Sequence, residues 1–188
     1  MRLFVAIDLD DAARQAIADE QKRLMRVFGP ADRSLRWVRS DQMHLTLVFI
    51  GHVDEARAAT IAEMMSARIG MSPFTIAFEK IGVFPARGTP NVLWLGVAGG
   101  AREAVALQRI VAERLEPVGI ERERRPYHPH LTLGRWRTSK ASDRVRAVEA
   151  GRDGEVARVA VESVTLYESR VSAAGPTYTA LVRAPLKT

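Results

Sequence analysis

Apolar residues along this chain keep two rhythms, a period of two and a period near 3.6, and the switches between them mark strands and helices. Leu3 to Leu9 reads as a first strand. Asp11 to about Phe28 reads as a helix, because Ala13, Ile17, Leu24 and Phe28 fall near one face, and Gly29-Pro30 stops it. Arg36-Trp37-Val38 is a short extended piece, and Met43 to Ile50 a strand closed by Gly51. Asp54 then caps a helix with Ala58, Ile61, Met65 and Ile69 inward, ending at Gly70, before a strand from Phe74 to Phe84 with Pro85 and Gly88 beyond it.

The order then begins again. Val92 to Val97 reads as a strand, Arg102 to Glu116 as a helix with Ala104, Leu107, Val111 and Leu115 inward, and His130 to Arg135 as a strand. A shorter helix after Ser139 places Val145 and Val148 inward, and strand patterns follow at Val156 to Tyr167 and Tyr178 to Val182, joined by a turn containing Ala174-Gly175-Pro176. Both halves thus run β-α-β-α-β. No glycine-rich dinucleotide fingerprint follows the first strand; Asp8-Leu9-Asp10-Asp11 stands there instead and would repel a pyrophosphate. The close spacing of Trp37 and His44 favours an antiparallel neighbour over a helical crossover. The fold expected is α+β: two pseudo-symmetric lobes, each an antiparallel sheet with two helices outside, the sheets facing across a central cleft. The whole chain, 1–188, is read as one bilobal unit, with lobe A about 1–88, lobe B about 89–188 and the termini free to cross between them.

The middle strand of each half carries the same tetrapeptide, His44-Leu45-Thr46-Leu47 and His130-Leu131-Thr132-Leu133. Successive strand side chains point to opposite faces, so each copy sets a His beside a Thr on one face and sinks two leucines into a core on the other. Packing alone accounts for the leucines and leaves the histidines unexplained, since His beside Thr is an indifferent core choice. Two such strands brought together would offer two imidazoles and two hydroxyls around one small site, which suits acid/base chemistry on a phosphate.

Composition narrows the possibilities further. The 188 residues suffice for one domain or two small lobes with a proper core. The chain has no cysteine, which excludes disulfides, thiolate zinc sites and cysteine nucleophiles. The first residues are apolar too briefly for a secretion signal, and no later run approaches the roughly 20 apolar residues of a membrane span, so a soluble, cytoplasmic protein is expected. The formal net charge is +6, and 24 of the 28 basic residues are arginine. Arginine's planar fork suits phosphates, so RNA is a reasonable partner, although coding bias explains an Arg-rich, Lys-poor chain equally well. His128-Pro129-His130, with His52, could suggest a metal; no carboxylate accompanies the pair, so none is expected and His128 and His52 read as loop residues.

The paired His-x-Thr motifs resemble those of the two-histidine phosphoesterase superfamily. Within it, the opening Arg2-Leu3-Phe4-Val5-Ala6-Ile7-Asp8-Leu9, the Arg36-Trp37-Val38 segment, His44 to Gly51, Val92 to Val97 and Pro129 to Arg135 look like the RNA 2′,3′-cyclic phosphodiesterases, also called 2′-5′ RNA ligases or LigT-like proteins. The resemblance implies metal-independent hydrolysis of a terminal 2′,3′-cyclic phosphate to a 2′-phosphate, with His44 as proton donor, His130 as proton acceptor, and Thr46 and Thr132 holding the phosphate. It implies no cofactor, RNA ends or small cyclic nucleotides as partners, and a monomer with no obligate protein partner and no membrane. Arg135, where the family commonly has an arginine, could bind a phosphate oxygen; Phe49 stands at the corresponding place in the first motif, so the halves are not chemically equal. Phe4, Trp37, Phe49 and Tyr127 are possible stacking surfaces for a base, or core and cleft-wall residues. Reversible 2′-5′ ligation and a non-catalytic module that binds RNA ends are the alternatives.

Overall fold

A computed structural model describes residues 1–29, 34–172 and 175–187. The elements in order are β1 (Arg2–Ile7), α1 (Asp11–Phe28), β2 (Leu35–Trp37), β3 (Leu45–His52), α2 (Glu55–Ser66), β4 (Ile69–Gly70), β5 (Phe74–Phe84), β6 (Val92–Gly99), α3 (Ala101–Leu115), β7 (His130–Trp136), α4 (Ala141–Ala150), β8 (Glu155–Val161), β9 (Ser163–Ser172) and β10 (Gly175–Lys187). Pro30 and Ala174, expected at a helix stop and a turn, lie outside the described residues.

Among the described residues the strands form two five-stranded sheets, ordered β3-β1-β9-β10-β4 and β2-β7-β6-β5-β8. All pairings are antiparallel except the short one between Leu186-Lys187 of β10 and Ile69-Gly70 of β4. The two sheets echo each other: β3, β1 and β9 in one stand as β7, β6 and β5 in the other, so each motif strand pairs with the strand preceding a helix in its own half. α2 and α3 back the first sheet, packing on β10 and β3, and α1 and α4 back the second, packing on β8 and β5. The expected α+β architecture, two sheets with helices outside, is the one observed.

Sheet membership does not change at residue 88. β5 lies in the second sheet because a short connection from Phe84 to Val92 lets it pair antiparallel with β6, and β1 and β3 share the first sheet with the C-terminal β9 and β10. The apolar run from Val156 to Tyr167 is two strands, since at Glu162 the chain leaves β8 in one sheet and enters β9 in the other. Two helix expectations also change. α2 stops at Ser66, so Ile69 is fully buried as part of a strand, not as a fourth helical contact. On α4, Val145 and Val148 are exposed while Ala147, Ala150 and the capping Asp143 turn inward; Asp143 accepts a 2.7 Å bond from the Lys140 amide, which fixes that rotation of the helix.

Local chemistry explains the remaining ends. Asp10 caps α1 by accepting from the Ala13 amide at 2.7 Å, and Asp54 caps α2 by accepting from Arg57 at 2.8 Å. Leu3, Val5, Ile7, Leu45, Leu47, Leu131 and Leu133 sink into the core under the helices, leaving the alternate positions of β3 and β7 to face the cleft. Among the described residues no helix is long and apolar enough to cross a membrane.

Candidate active site

The period-two arrangement of the repeated tetrapeptide is realised in both strands: all four motif leucines are buried, whereas His44, Thr46, His130 and Thr132 are half-buried. These four side chains line one cavity of about 110 Å³, together with Val38, Gln42, Arg135 and Tyr178. The two imidazoles are held alike. His44 Nδ1 lies 2.9 Å from the Gln42 carbonyl and His130 Nδ1 2.7 Å from the His128 carbonyl. A carbonyl can only accept, so each Nδ1 carries the proton and Nε2 is left as the free ring nitrogen. Neither threonine spends its hydroxyl on another described residue.

Arg135 reaches the cavity through a bulge. Opposite β6, Leu93 faces Gly134 and Trp94 faces Thr132, which leaves Leu133 as an extra residue on β7. The bulge breaks the alternation, so Arg135 comes back to the face of His130 and Thr132 instead of the core face. The Leu133 carbonyl is satisfied there by the Val38 amide at 2.9 Å and by the buried Gln21 side chain of α1 at 3.0 Å.

Aromatic rings support both histidines. His44 stacks on Phe4 (centroids 4.7 Å, 26° between planes), Phe4 stacks on Tyr167 at 5.2 Å, and Tyr178 meets His44 edge-on at 5.2 Å. His130 is packed by the edge of Phe84 at 4.9 Å, and Trp94 packs against His128 at 5.1 Å. Trp94 needs Gly82 opposite it, because a Cβ there would sit 2.2 Å from the indole carbons. Burial is the main influence on both imidazoles. It pushes His44 down to about 4, against a smaller upward pull from its bond to Gln42 and from the Asp8 carboxylate. His130 is also lowered, first by burial, with the His128 and Arg135 charges adding to the effect.

The proposed base-stacking residues have other employment. Phe4 is already packed by three rings, those of His44, Tyr167 and Tyr178. Tyr127 donates its hydroxyl to the Thr46 carbonyl at 2.8 Å, tying the segment before His130 to the first motif strand. Phe49 is 56% exposed, lies under the Arg2 guanidinium, and lines a different cavity with Gln108 and Ile120. Trp37 lines the cavity next to the histidines and packs edge-on against Phe28. His52 ends β3 on the surface, and no group of three His, Cys, Asp or Glu side chains is placed to hold a metal among the described residues. Gln42 and Tyr178 were missed by sequence reasoning: Gln42 contributes mainly a carbonyl, and Tyr178 belongs to a strand with no motif.

The profile of the 2′-5′ RNA ligase superfamily matches residues 9–173. The chain belongs to this superfamily. An RNA 2′,3′-cyclic phosphodiesterase of Archaeoglobus fulgidus is 35% identical over 95% of this chain and 96% of its own length, and one from Thermotoga maritima is 32% identical over 96% and 93%. The crystal structure of Escherichia coli LigT complexed with 3′-AMP superposes with a TM-score of 0.76 at 29% identity, covering all of this chain and 98% of that one. The superfamily placement makes the chain a member of a phosphodiesterase family, and its paired His-x-Thr cavity is the feature on which its chemistry must be argued.

Proposed function

We propose that this protein hydrolyses the terminal 2′,3′-cyclic phosphate of RNA to a 2′-phosphomonoester, using His44 as acid, His130 as base and no metal. The observation that carries this reading is that both His-x-Thr pairs line one cavity, each imidazole with Nδ1 committed to a backbone carbonyl. His130 Nε2 takes a proton from the attacking water, the P–O3′ bond breaks, and the proton on His44 Nε2 goes to O3′, giving a 3′-hydroxyl and a 2′-phosphate. Thr46, Thr132 and Arg135 donate to the non-bridging oxygens and offset their growing charge. Relatives of high coverage named RNA 2′,3′-cyclic phosphodiesterase, and a related structure that holds 3′-AMP, support the substrate class. The scheme needs no cofactor and no second subunit.

Surroundings support the division of labour between the imidazoles. Burial favours the neutral form of both rings, His44 most of all. A bound phosphodiester adds an anion beside both rings and favours one imidazolium. The Asp8 carboxylate and the stacked Phe4 face favour that charge on His44 and the Arg14 charge opposes it, whereas on His130 the His128 carbonyl favours it and the His128 and Arg135 charges oppose it. In the proposed division of labour His44 takes that proton and His130 stays neutral to act as base.

The test is a 2′,3′-cyclic-terminated oligonucleotide in excess EDTA. Turnover to a 2′-phosphate is expected, and His44→Ala and His130→Ala should each cost at least about 100-fold in rate while changing the melting temperature little. Salt-sensitive binding without product, or activity abolished by EDTA, would overturn the reading.

A further inference from the structure

Arg36, on the short strand β2, is a cation with no assigned task. In the register of β2 with β7 it stands directly opposite Arg135. Residues so opposed share a face with their Cβ atoms about 5 Å apart, and like charges in that position repel. Neither guanidinium has a hydrogen bond or ion pair among the described residues. The contrast with Arg39 is informative: it lies nearby but is spent on Asp41, with Nη2 2.8 Å and Nε 3.0 Å from the carboxylate oxygens. A fold that places two unspent arginines side by side gains nothing from the arrangement unless an anion sits against them.

The position of the pair says which anion. Arg135 belongs to two cavities, the histidine cavity of about 110 Å³ and a neighbouring groove of about 230 Å³ that also takes in Arg36, Trp37 and Pro176. The two share Val38, Gln42 and Tyr178 as well, so they adjoin. Arg36 lines only the outer groove. A cyclic phosphate held between the imidazoles lies beside this groove at Arg135, which gives the rest of the terminal nucleotide a path past Arg36. In an RNA end the next anion is the phosphodiester on the terminal nucleoside's O5′, which a cyclic mononucleotide lacks.

We propose that Arg36, paired with Arg135 across β2 and β7, binds the phosphate on the 5′ side of the terminal nucleoside, so that the enzyme selects RNA ends over cyclic mononucleotides. The inference rests on the reading of the histidine cavity as the cyclic-phosphate site. Arg135 then spans both phosphates, and Arg36 serves the second alone.

Three matched substrates test this: a nucleoside 2′,3′-cyclic phosphate, the same compound with a 5′-phosphate, and a dinucleotide ending in the cyclic phosphate. With the native protein, kcat/KM should rise about tenfold or more from the first to the other two, the size of one charge-assisted phosphate contact. Arg36→Gln should erase that gain and leave the plain cyclic mononucleotide within twofold of native, with a shallower salt dependence on the dinucleotide by somewhat under one unit of log–log slope. Arg36→Lys should restore part of the gain. Because Arg36 is exposed and opposed by a like charge, its removal should not lower the melting temperature. Equal losses on all three substrates would show that Arg36 serves the reacting phosphate or the fold; no loss on any would show that it binds nothing. Either result overturns the proposal. Binding of the corresponding 2′-phosphate products, measured by calorimetry with native and Arg36→Gln protein, separates the two readings. If no cyclic phosphate is turned over but the Arg36-dependent preference for two phosphates persists, the hydrolase reading fails and this one stands.

Discussion

At the scale of single residues, burial holds the His44 imidazole well below its ordinary value. Its depressed pKa means that folding favours the neutral ring, and the unfolded chain, with a histidine near 6.5, binds the extra proton first. Between those two values the unfolded state holds more protons, so stability rises with pH across the window and falls as pH drops from about 6.5 toward 4. The full shift corresponds to at most about 3 kcal/mol. Urea unfolding at pH 7 and pH 4.5 should show His44→Gln losing less stability on acidification than the native protein. Lowered carboxylates such as Asp41 and Glu155 weaken both proteins equally on acidification, so the difference between them isolates the imidazole. An equal acid loss in both would mean the ring is not desolvated as described. The proposed role of His44 as acid fits the same burial because the proposed substrate is an anion, whose charge would draw the proton in with the phosphate.

At the scale of elements, most of the site could be read from the sequence because it rests on short-range rules. The alternation of His, Leu, Thr and Leu is a strand's own periodicity, and Asp54 caps its helix through a contact three residues away. What could not be read depends on partners distant in the chain. The bulge at Leu133 that aims Arg135 is defined by the register with β6, and the Phe4–His44 stack needs β1 beside β3. The rotation of α4 was misread because Val145 and Val148 look like an inner face until Asp143 takes that place. Gly82 illustrates the same dependence. Nothing in Ile81-Gly82-Val83 announces that Trp94 lies across it, leaving no room for a side chain. Gly82→Ala should therefore displace the indole that packs on Phe84 and His128, costing about 1–3 kcal/mol from overpacking and lowering kcat through the loosened His130 support. A melting curve and a rate measurement together check this; native values for both would mean that Trp94 moves aside freely and has no part in holding the second motif.

At the scale of the whole molecule, the repeated element order suggests two halves that each build a lobe, and the sheets are wired otherwise. The first sheet takes β1 and β3 from the start of the chain and β9 and β10 from its end, and the second takes β2 and β5 from the first half and β6, β7 and β8 from the second. The helices continue the exchange: α1 follows a strand of the first sheet and packs on the second, and α3 follows a strand of the second and packs on the first. A chain cut near residue 88 would leave β1 without β9 and β5 without both β6 and β8, exposing the leucines and valines that those strands bury. Neither fragment, 1–88 or 89–188, should then show a cooperative thermal transition alone. Mixed together, they should recover one, because the pairings that each lacks are supplied by the other. Independent folding of either fragment would contradict the wiring. The same exchange assembles the site. Phe4, His44 and Tyr178 come from the sheet closed by the chain's two ends, and Phe84, Trp94 and His130 from the sheet closed by its middle, so each imidazole draws its aromatic packing from both halves of the chain and neither fragment alone can supply it.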